Sequence, residues 1–299
     1  MICGVVLLDK PEGISSNAAL QRVKRATRAG KAGHTGSLDP LATGMLPVCL
    51  GEATKIAGDL LGGRKRYRFE VALGARTDTG DREGRVVETL PVPALDEAAV
   101  EAVLTRFRGP QSQVPPMYSA LKRDGRPLYR LARAGIEVER AARTIEVEEL
   151  SAVERRADSL ELEALCSKGT YIRVLAEDIA RALGSCGHVA RLRRLWVAPF
   201  EREPMQTLEA IEADCGAGRP PRLIAADRAL PMLAAVVVPQ SAAVRLGQGQ
   251  SIESPQPDLH GRVRLYEEGG RFLGLGEADG RGALRPRRLF VLVAGGGSE

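Results

Sequence analysis

Gly33-His34-Thr35-Gly36-Ser37-Leu38-Asp39-Pro40-Leu41-Ala42-Thr43-Gly44 is the stretch best suited to chemistry. It sets one acid, Asp39, among three glycines and a proline. Glycine admits backbone angles closed to other residues and proline fixes one, so the stretch reads as a shaped loop. Shaped loops on rigid scaffolds carry catalytic groups, and a framed carboxylate can serve as nucleophile or as acid and base. The same spacing also suits a surface turn in which Asp39 merely caps backbone. Arg22, Lys24, Arg25, Arg28 and Lys31 run into the loop. That basic face suits either plain solvation or contact with phosphates.

Other chemistries are poorly served. Gly30-Lys31 lacks the upstream glycine and the following Ser or Thr of a P-loop. Neither a Gly-x-Ser-x-Gly elbow nor a His-Glu-x-x-His motif occurs. His34, His188 and His260 are too scattered to suggest a metal site. The cysteines, Cys3, Cys49, Cys166, Cys186 and Cys215, form no Cys-x-x-Cys pair and are odd in number. That argues against a disulfide framework or a zinc site. No cofactor motif is present. A glycosidase-like pair of carboxylates stays open, because their separation is not readable from sequence.

The elements that must position the loop follow from periodicity. Ile2 to Leu8 reads as a buried strand, and Ser16 as the cap of a helix with Leu20 and Val23 inward and Gly30 as its stop. Met45 to Leu50 is apolar, and Glu52 to Leu61 looks helical. Tyr67, Phe69, Val71 and Leu73 alternate with polar residues, giving a half-buried strand with Tyr67 on its apolar side. Thr77 to Gly84 is a turn into a strand near Arg85 to Thr89. Asp96 caps a helix closed by Gly109-Pro110. Residues 111 to 142 form an excursion rich in arginine and tyrosine, types that stack on bases and contact phosphates, or that merely solvate a helix. A strand over Leu160 to Cys166 leads to Tyr171, which opens a helix. Tyr171 and Arg173 thus sit at a helix start, where anions bind well. Val189 to Val197 is a further strand. Beyond residue 230, prolines punctuate short strands, the last at Leu289 to Val293, in a small barrel-like unit with a disordered glycine-rich tail.

Composition bounds the class. The 299 residues are 44% hydrophobic and 27% charged, enough for a sizeable core in two domains or one large one. The net charge is +5, and arginine supplies 36 of the 43 basic residues. Arginine's planar fork suits phosphates and its flat face suits bases, although a GC-rich genome inflates it too. Lys10 and Pro11 follow the short N-terminal apolar run, unlike a signal peptide, and no run approaches the ~18 residues of a membrane span. A soluble cytoplasmic protein is expected.

The twelve-residue loop closely resembles the signature loop of the TruB family of pseudouridine synthases, the bacterial tRNA pseudouridine-55 synthases. Four more matches stand in order: Leu8-Asp9-Lys10-Pro11, Lys65-Arg66-Tyr67, Pro115-Pro116-Met117-Tyr118-Ser119-Ala120-Leu121-Lys122 and Lys168-Gly169-Thr170-Tyr171-Ile172-Arg173. Ser37 departs from the alanine of many relatives but leaves the acid in place. The resemblance implies an α+β fold, with a mixed, largely antiparallel sheet and flanking helices over residues 1–230. It implies an RNA-binding thumb at about 111–142 and a small C-terminal β-barrel-like PUA domain over 231–299. The implied reaction isomerises uridine 55 of the tRNA T-loop to pseudouridine without cofactor or metal. By position, Asp39 is the essential nucleophile or base. Tyr67 stacks on the base and is a candidate for moving a proton, and Arg173 pairs with Asp39, holding it ionised and aimed. Tyr171 and Leu192 line the uracil pocket, and His34 fills the space that the flipped nucleotide leaves. The implied partner is the tRNA T-stem-loop, bound by a monomer without an obligatory protein partner. A non-catalytic RNA-binding or tRNA-folding protein on the same scaffold is the competing reading, and a carboxylate-based nucleoside hydrolase a weaker third.

Overall fold

The computed structural model describes residues 2–119, 121–123 and 125–290. Its chain runs β1 (Gly4–Lys10), α1 (Ser16–Ala26), β2 (Ala32–His34), β3 (Thr43–Leu50), a 3-10 turn over Gly51–Ile56, and α2 (Ala57–Leu60). β4 (Lys65–Leu73), β5 (Ala75–Thr77), β6 (Val86–Thr89), α3 (Glu97–Arg106) and β7 (Gly109–Gln113) follow. Beyond β7, the described residues of the arginine-rich excursion hold β8 (Lys122–Arg123), β9 (Arg126–Pro127) and α4 (Leu128–Arg133). Then come β10 (Arg143–Arg155), β11 (Ser159–Cys166), α5 (Ile172–Ala182), β12 (Gly187–Val197), β13 (Gln206–Thr207) and α6 (Leu208–Gly216). The C-terminal part is β14 (Ala234–Val238), α7 (Gln240–Gly247), β15 (Ile252–Glu253), β16 (His260–Glu267), β17 (Phe272–Asp279) and β18 (Ala283–Leu289).

Nine strands form one sheet in the order β13-β1-β3-β12-β4-β11-β10-β7, with β2 paired to β3. β1–β13 and β3–β12 are parallel, and the other pairs are antiparallel. β12 therefore lies between β3 and β4. The period of two fixes which face is inside. Tyr67, Phe69, Val71 and Leu73 join Ile172, Leu175 and Ile179 of α5 and Val100 and Leu104 of α3 in one buried cluster. On the opposite face Glu163 bridges Arg66 at 2.7 Å and Arg68 at 3.0 Å. Each large apolar side chain buried contributes ~1.5–3 kcal/mol, whereas an exposed ion pair adds only ~0–1 kcal/mol. The apolar face thus sets the register, and a one-residue slip of β4 would drive its arginines into the core.

Helix α1 departs from expectation at both ends. Ser15, not Ser16, is the cap, its hydroxyl accepting from Ala18 N at 3.1 Å. The stop precedes Gly30, because Thr27 closes the helix and Arg28 takes a left-handed φ of 51°.

The C-terminal strands make a five-stranded sheet, β14-β16-β17-β18-β15. Its short strands were expected, but α7 was not. Prolines hid it, yet Pro239 sits at its N-cap and Ala243 and Leu246 turn inward. Leu275 of β17 is buried in the same cluster as Val5, Met45, Phe200 and Leu230 of the larger part. Arg262 also pairs with Asp59, and Lys55 Nζ donates to Leu289 O at 2.7 Å. Of the last expected strand, Leu289 closes β18, while Val291 to Val293 and the glycine tail lie outside the described residues. Among the described residues no helix is long and apolar enough to cross a membrane.

Candidate active site

The Asp39 loop joins β2 to β3, and four side chains fasten it. Ser16, freed from capping, donates to Leu38 O at 2.9 Å and accepts from Leu38 N at 2.7 Å, gripping the residue before the acid. Lys10 is wholly buried and donates to Ile14 O at 2.7 Å, Pro11 O at 2.8 Å and Pro40 O at 3.3 Å. Arg194, 1% exposed, donates to Met45 O at 2.7 Å and to Gly36 O at 2.9 Å. Arg173 holds the acid itself. At the loop's far end Gly44 has φ of 100°, and a Cβ there would collide with the Arg194 carbonyl. β3 and β12 run that close together only because residue 44 is glycine.

Arg173, the second residue of α5, has a side chain only 5% exposed. Its Nε lies 2.9 Å from Asp39 Oδ2, and Nη2 donates to Oδ1 at 3.4 Å. Nη1 donates to Thr79 O at 2.7 Å and Nη2 to Tyr118 O at 2.6 Å. A second carboxylate, Asp81, stands 3.9 Å from Nε. Asp81 is buried and accepts from Thr79 Oγ1 at 2.6 Å and Glu83 N at 3.1 Å. One guanidinium thus gathers the Asp39 loop, the Thr77–Gly84 turn and the root of the excursion.

The Asp39 side chain keeps 38% of its surface open, yet its setting is deep. Burial pushes its pKa up, and Asp81 adds to the rise, while Arg173 and Lys10 pull it down. Arg173 pairs with the acid, and burial outweighs its downward pull on the acid's pKa. Burial also draws Lys10 down to about 8.

The other expected residues gather to different degrees. Tyr67 is 7% exposed and lies in the apolar cluster with Leu38, Leu41 and Leu192. Burial pushes its hydroxyl up, Asp39's charge adds to the rise, and the neighbouring Arg194 guanidinium opposes it. Leu192 stands two positions before Arg194, which pairs across to Tyr67. Tyr171 caps α5, and burial raises its pKa, with Asp39 raising it and Arg143 and Arg173 lowering it. Asp39, Tyr67, Tyr171 and Arg173 thus share one electrostatic neighbourhood. His34 sits on β2 opposite Val48 and connects to the group through Arg194, whose charge, after burial, lowers its pKa. Its Nδ1 is buried without a hydrogen-bond partner among the described residues, so it does not bond within its own turn. No cluster of three or more His, Cys, Asp or Glu suited to a metal ion occurs among the described residues.

Sequence reasoning gave no role to Ser16's grip on the loop, Lys10, Asp81 or Arg194. Asp81 had a signal, since its turn has the same texture of glycines around an acid as the Asp39 loop. Arg194 had one too. It falls on the apolar phase of its strand, two residues after Leu192, where an arginine needs an internal use.

The cationic surface divides in two. On the open sheet face, arginines are neutralised, with Arg193 bound to Asp9 at 2.8 and 3.0 Å and Arg156 to Glu70 at 3.0 Å. Arg126 and Arg130 on the excursion, and Arg143 at the start of β10 just after it, are exposed and have no ion pair among the described residues.

The family model for the TruB family pseudouridylate synthase N-terminal domain matches residues 24–172. Two C-terminal models follow, tRNA pseudouridylate synthase B C-terminal domain over 173–244 and Pseudouridine synthase II TruB, C-terminal over 234–290. The chain is 52% identical to tRNA pseudouridine synthase B of Chromohalobacter salexigens, covering 97% of this chain and 94% of that one. It is 48% identical to the Pseudomonas putida protein of that name, covering 97% and 96%. Among solved structures, an H/ACA RNP bound to a substrate RNA containing 2'-deoxyuridine has a chain that matches with TM-score 0.72 at 22% identity, over 97% of this chain and 86% of that one. A Cbf5-Nop10-Gar1 complex has a chain that matches with TM-score 0.70 at 25% identity, over 97% and 84%. These structural likenesses speak to the fold, whereas the sequence identities decide the family: the chain belongs to the TruB family of pseudouridine synthases.

Proposed function

We propose that this chain isomerises uridine 55 in the T-loop of tRNA to pseudouridine, with Asp39 as the acting carboxylate. The observation that carries this reading is the Asp39–Arg173 ion pair, with Tyr67 in one apolar cluster with Leu38 and Tyr171 two residues before Arg173, in a TruB-family chain. The N1–C1′ bond breaks, the uracil turns, a C5–C1′ bond forms, and the C5 proton is lost while N1 gains one. Nothing is oxidised or reduced, so the balance needs no cofactor.

The target base leaves its stack at a cost of a few kcal/mol. Stacking on Tyr67, at ~1–3 kcal/mol, offsets that cost. Tyr171 and Leu192 line the uracil pocket, and His34 fills the vacated space. Asp39 works in its ionised form, and its raised pKa makes that form the more basic and reactive. Arg173 is tied to Thr79 and Tyr118 as well as to Asp39, so it meets the reacting group without rearranging.

The unpaired arginines of the excursion, a thumb at about 111–142, receive phosphates of the T-stem-loop. Residues 231–299 act as a PUA-like domain holding the rest of the tRNA. The enzyme works as a monomer in the cytoplasm, where its tRNA is, without an obligatory protein partner. The test is incubation with an unmodified T-stem-loop RNA and detection of pseudouridine. Product with the wild type and none with Asp39→Asn is expected. Turnover by Asp39→Asn overturns the role of Asp39, and tight RNA binding without product favours a tRNA-folding protein.

A further inference from the structure

Gln113 ends β7 and is 5% exposed. Both ends of its amide meet the backbone of one residue. Tyr171 N–H donates to its Oε1 at 2.8 Å, and its Nε2 donates to Tyr171 O at 3.1 Å. This is the two-point pattern of a strand pair, made by a side chain. Tyr171 needs such a partner. It stands at the N-cap of α5 in extended conformation, so its N–H lies outside the helix ladder while its carbonyl already accepts from Leu175 N at 3.1 Å. A buried backbone N–H left without an acceptor costs ~1–3 kcal/mol.

The clamp acts where small shifts matter. Arg173 follows Tyr171 by two residues and reaches Asp39 at 2.9 Å from the first turn of the helix. The segment that starts at Gln113 touches this corner again at Tyr118, whose carbonyl accepts from Arg173 Nη2 at 2.6 Å. The helix start is thus held through its backbone at one point and through its arginine at the other. Only an amide of glutamine's length serves the first point. A carboxylate lacks the donor, and asparagine is one methylene short.

We infer that Gln113 is a positioning residue for the isomerisation, setting the start of α5 so that Arg173 meets Asp39 in register. This rests on the reading that Asp39 and Arg173 act in the reaction. Three charged groups around the acid bear on the test. Arg173 and Lys10 lower the pKa of Asp39, and burial and Asp81 raise it. Lys10 and Asp81 are held by bonds that do not involve Gln113. A loosened α5 start therefore weakens Arg173's pull alone.

The experiment uses the full chain carrying Gln113→Met, with unmodified T-stem-loop RNA, single turnover at saturating enzyme, and a pH series. The expected rate is about 10–100-fold below wild type. The acid limb is expected to move to higher pH, and RNA affinity measured by filter binding is expected to stay as in wild type. A wild-type rate, or a slowed rate with an unmoved acid limb, overturns the inference. If Gln113→Met fails to give a cooperative melt, Gln113→Asn replaces it under the same criteria. Asp39→Asn is run alongside. Turnover by that variant sinks the reading of Asp39 itself, whereas a dead Asp39→Asn with a wild-type Gln113→Met sinks only the positioning role.

Discussion

Arg173 Nε lies 2.9 Å from Asp39 Oδ2, although the two residues are 134 positions apart. The pair is made by the sheet. β12 seats between β3 and β4, and α5, which precedes β12, packs on the face that carries Tyr67. The guanidinium is shared among Asp39, Thr79, Tyr118 and Asp81, a planar fork used in several directions at once.

Arg173→Lys keeps the charge and loses the fork. A single ammonium cannot hold Asp39, the Thr79 carbonyl and the Tyr118 carbonyl together. The single-turnover rate on a T-stem-loop is expected to fall about 10²-fold or more. A rate within a few-fold of wild type would show that charge alone suffices.

The pH profile carries a sign. Burial raises the pKa of Asp39 above the ordinary 3.8. A reaction that needs its ionised form is lost as pH falls through that raised value, so the acid limb stands above the range of a free aspartate. Asp81 contributes to the rise as a neighbouring like charge, so Asp81→Asn is expected to move the limb down. Rate–pH curves of the two proteins check this, and a limb that stays put or moves up in Asp81→Asn contradicts it.

Lys10→Met removes the donor from three carbonyls under the loop. Pro40 O keeps Gly13 N at 2.9 Å, whereas the part-buried carbonyls of Pro11 and Ile14 lose this donor at up to ~1–3 kcal/mol each, so the variant is expected to unfold at lower urea and to lose activity through a slackened loop. The wild type carries a pH signature that the variant lacks. The pKa of Lys10 falls from 10.5 unfolded to about 8 folded. Between those values the unfolded chain binds the extra proton, so the wild type gains stability relative to the variant as pH rises across the window. Urea melts at several pH values from neutral to alkaline read the difference, and a constant gap between the two proteins would rule the effect out.

Gly44→Ala sets a Cβ against the Arg194 carbonyl at a φ that other residues resist. The expected loss is on the order of 3 kcal/mol. The strained β3–β12 junction also carries Arg194's grip on Gly36, so activity falls with stability. A melt within error of wild type would mean that the strands part without cost.

Much of this architecture was legible locally. The alternation in β4 gave its buried face, and the glycines around Asp39 marked a shaped loop. The apolar stripe of α5 placed Arg173 at a helix start. What periodicity could not give was the meeting of distant parts. Ser16 read as a cap because Ser15 and Ser16 are equivalent in sequence, and only packing assigns one to the helix and the other to Leu38. Asp81 read as a turn residue because nothing local says that its turn folds under Arg173. The electrostatic outcome at Asp39 was hidden too, since an adjacent arginine lowers a carboxyl's pKa only until burial outweighs it. At the C-terminal end, strands showed through as short apolar segments. The packing of Leu275 on Val5 and Phe200 did not, because it joins residues from opposite ends of the chain.

The placement of β12 has a consequence for how the chain is made. β3 and β4 emerge from the ribosome early but do not pair with each other, because their shared neighbour begins at Gly187. Until Val197 is out, the nascent chain carries two half-sheets with open hydrogen-bonding edges, the kind of surface that templates misassembly. Joining the two halves then requires one strand to enter between two that already exist, with β13 added at the far edge on β1. That closure is slow by its sequence separation, and it is also the step that brings Arg194 onto the Asp39 loop. Closure of the sheet and Arg194's grip on the Asp39 loop thus depend on the same inserted strand.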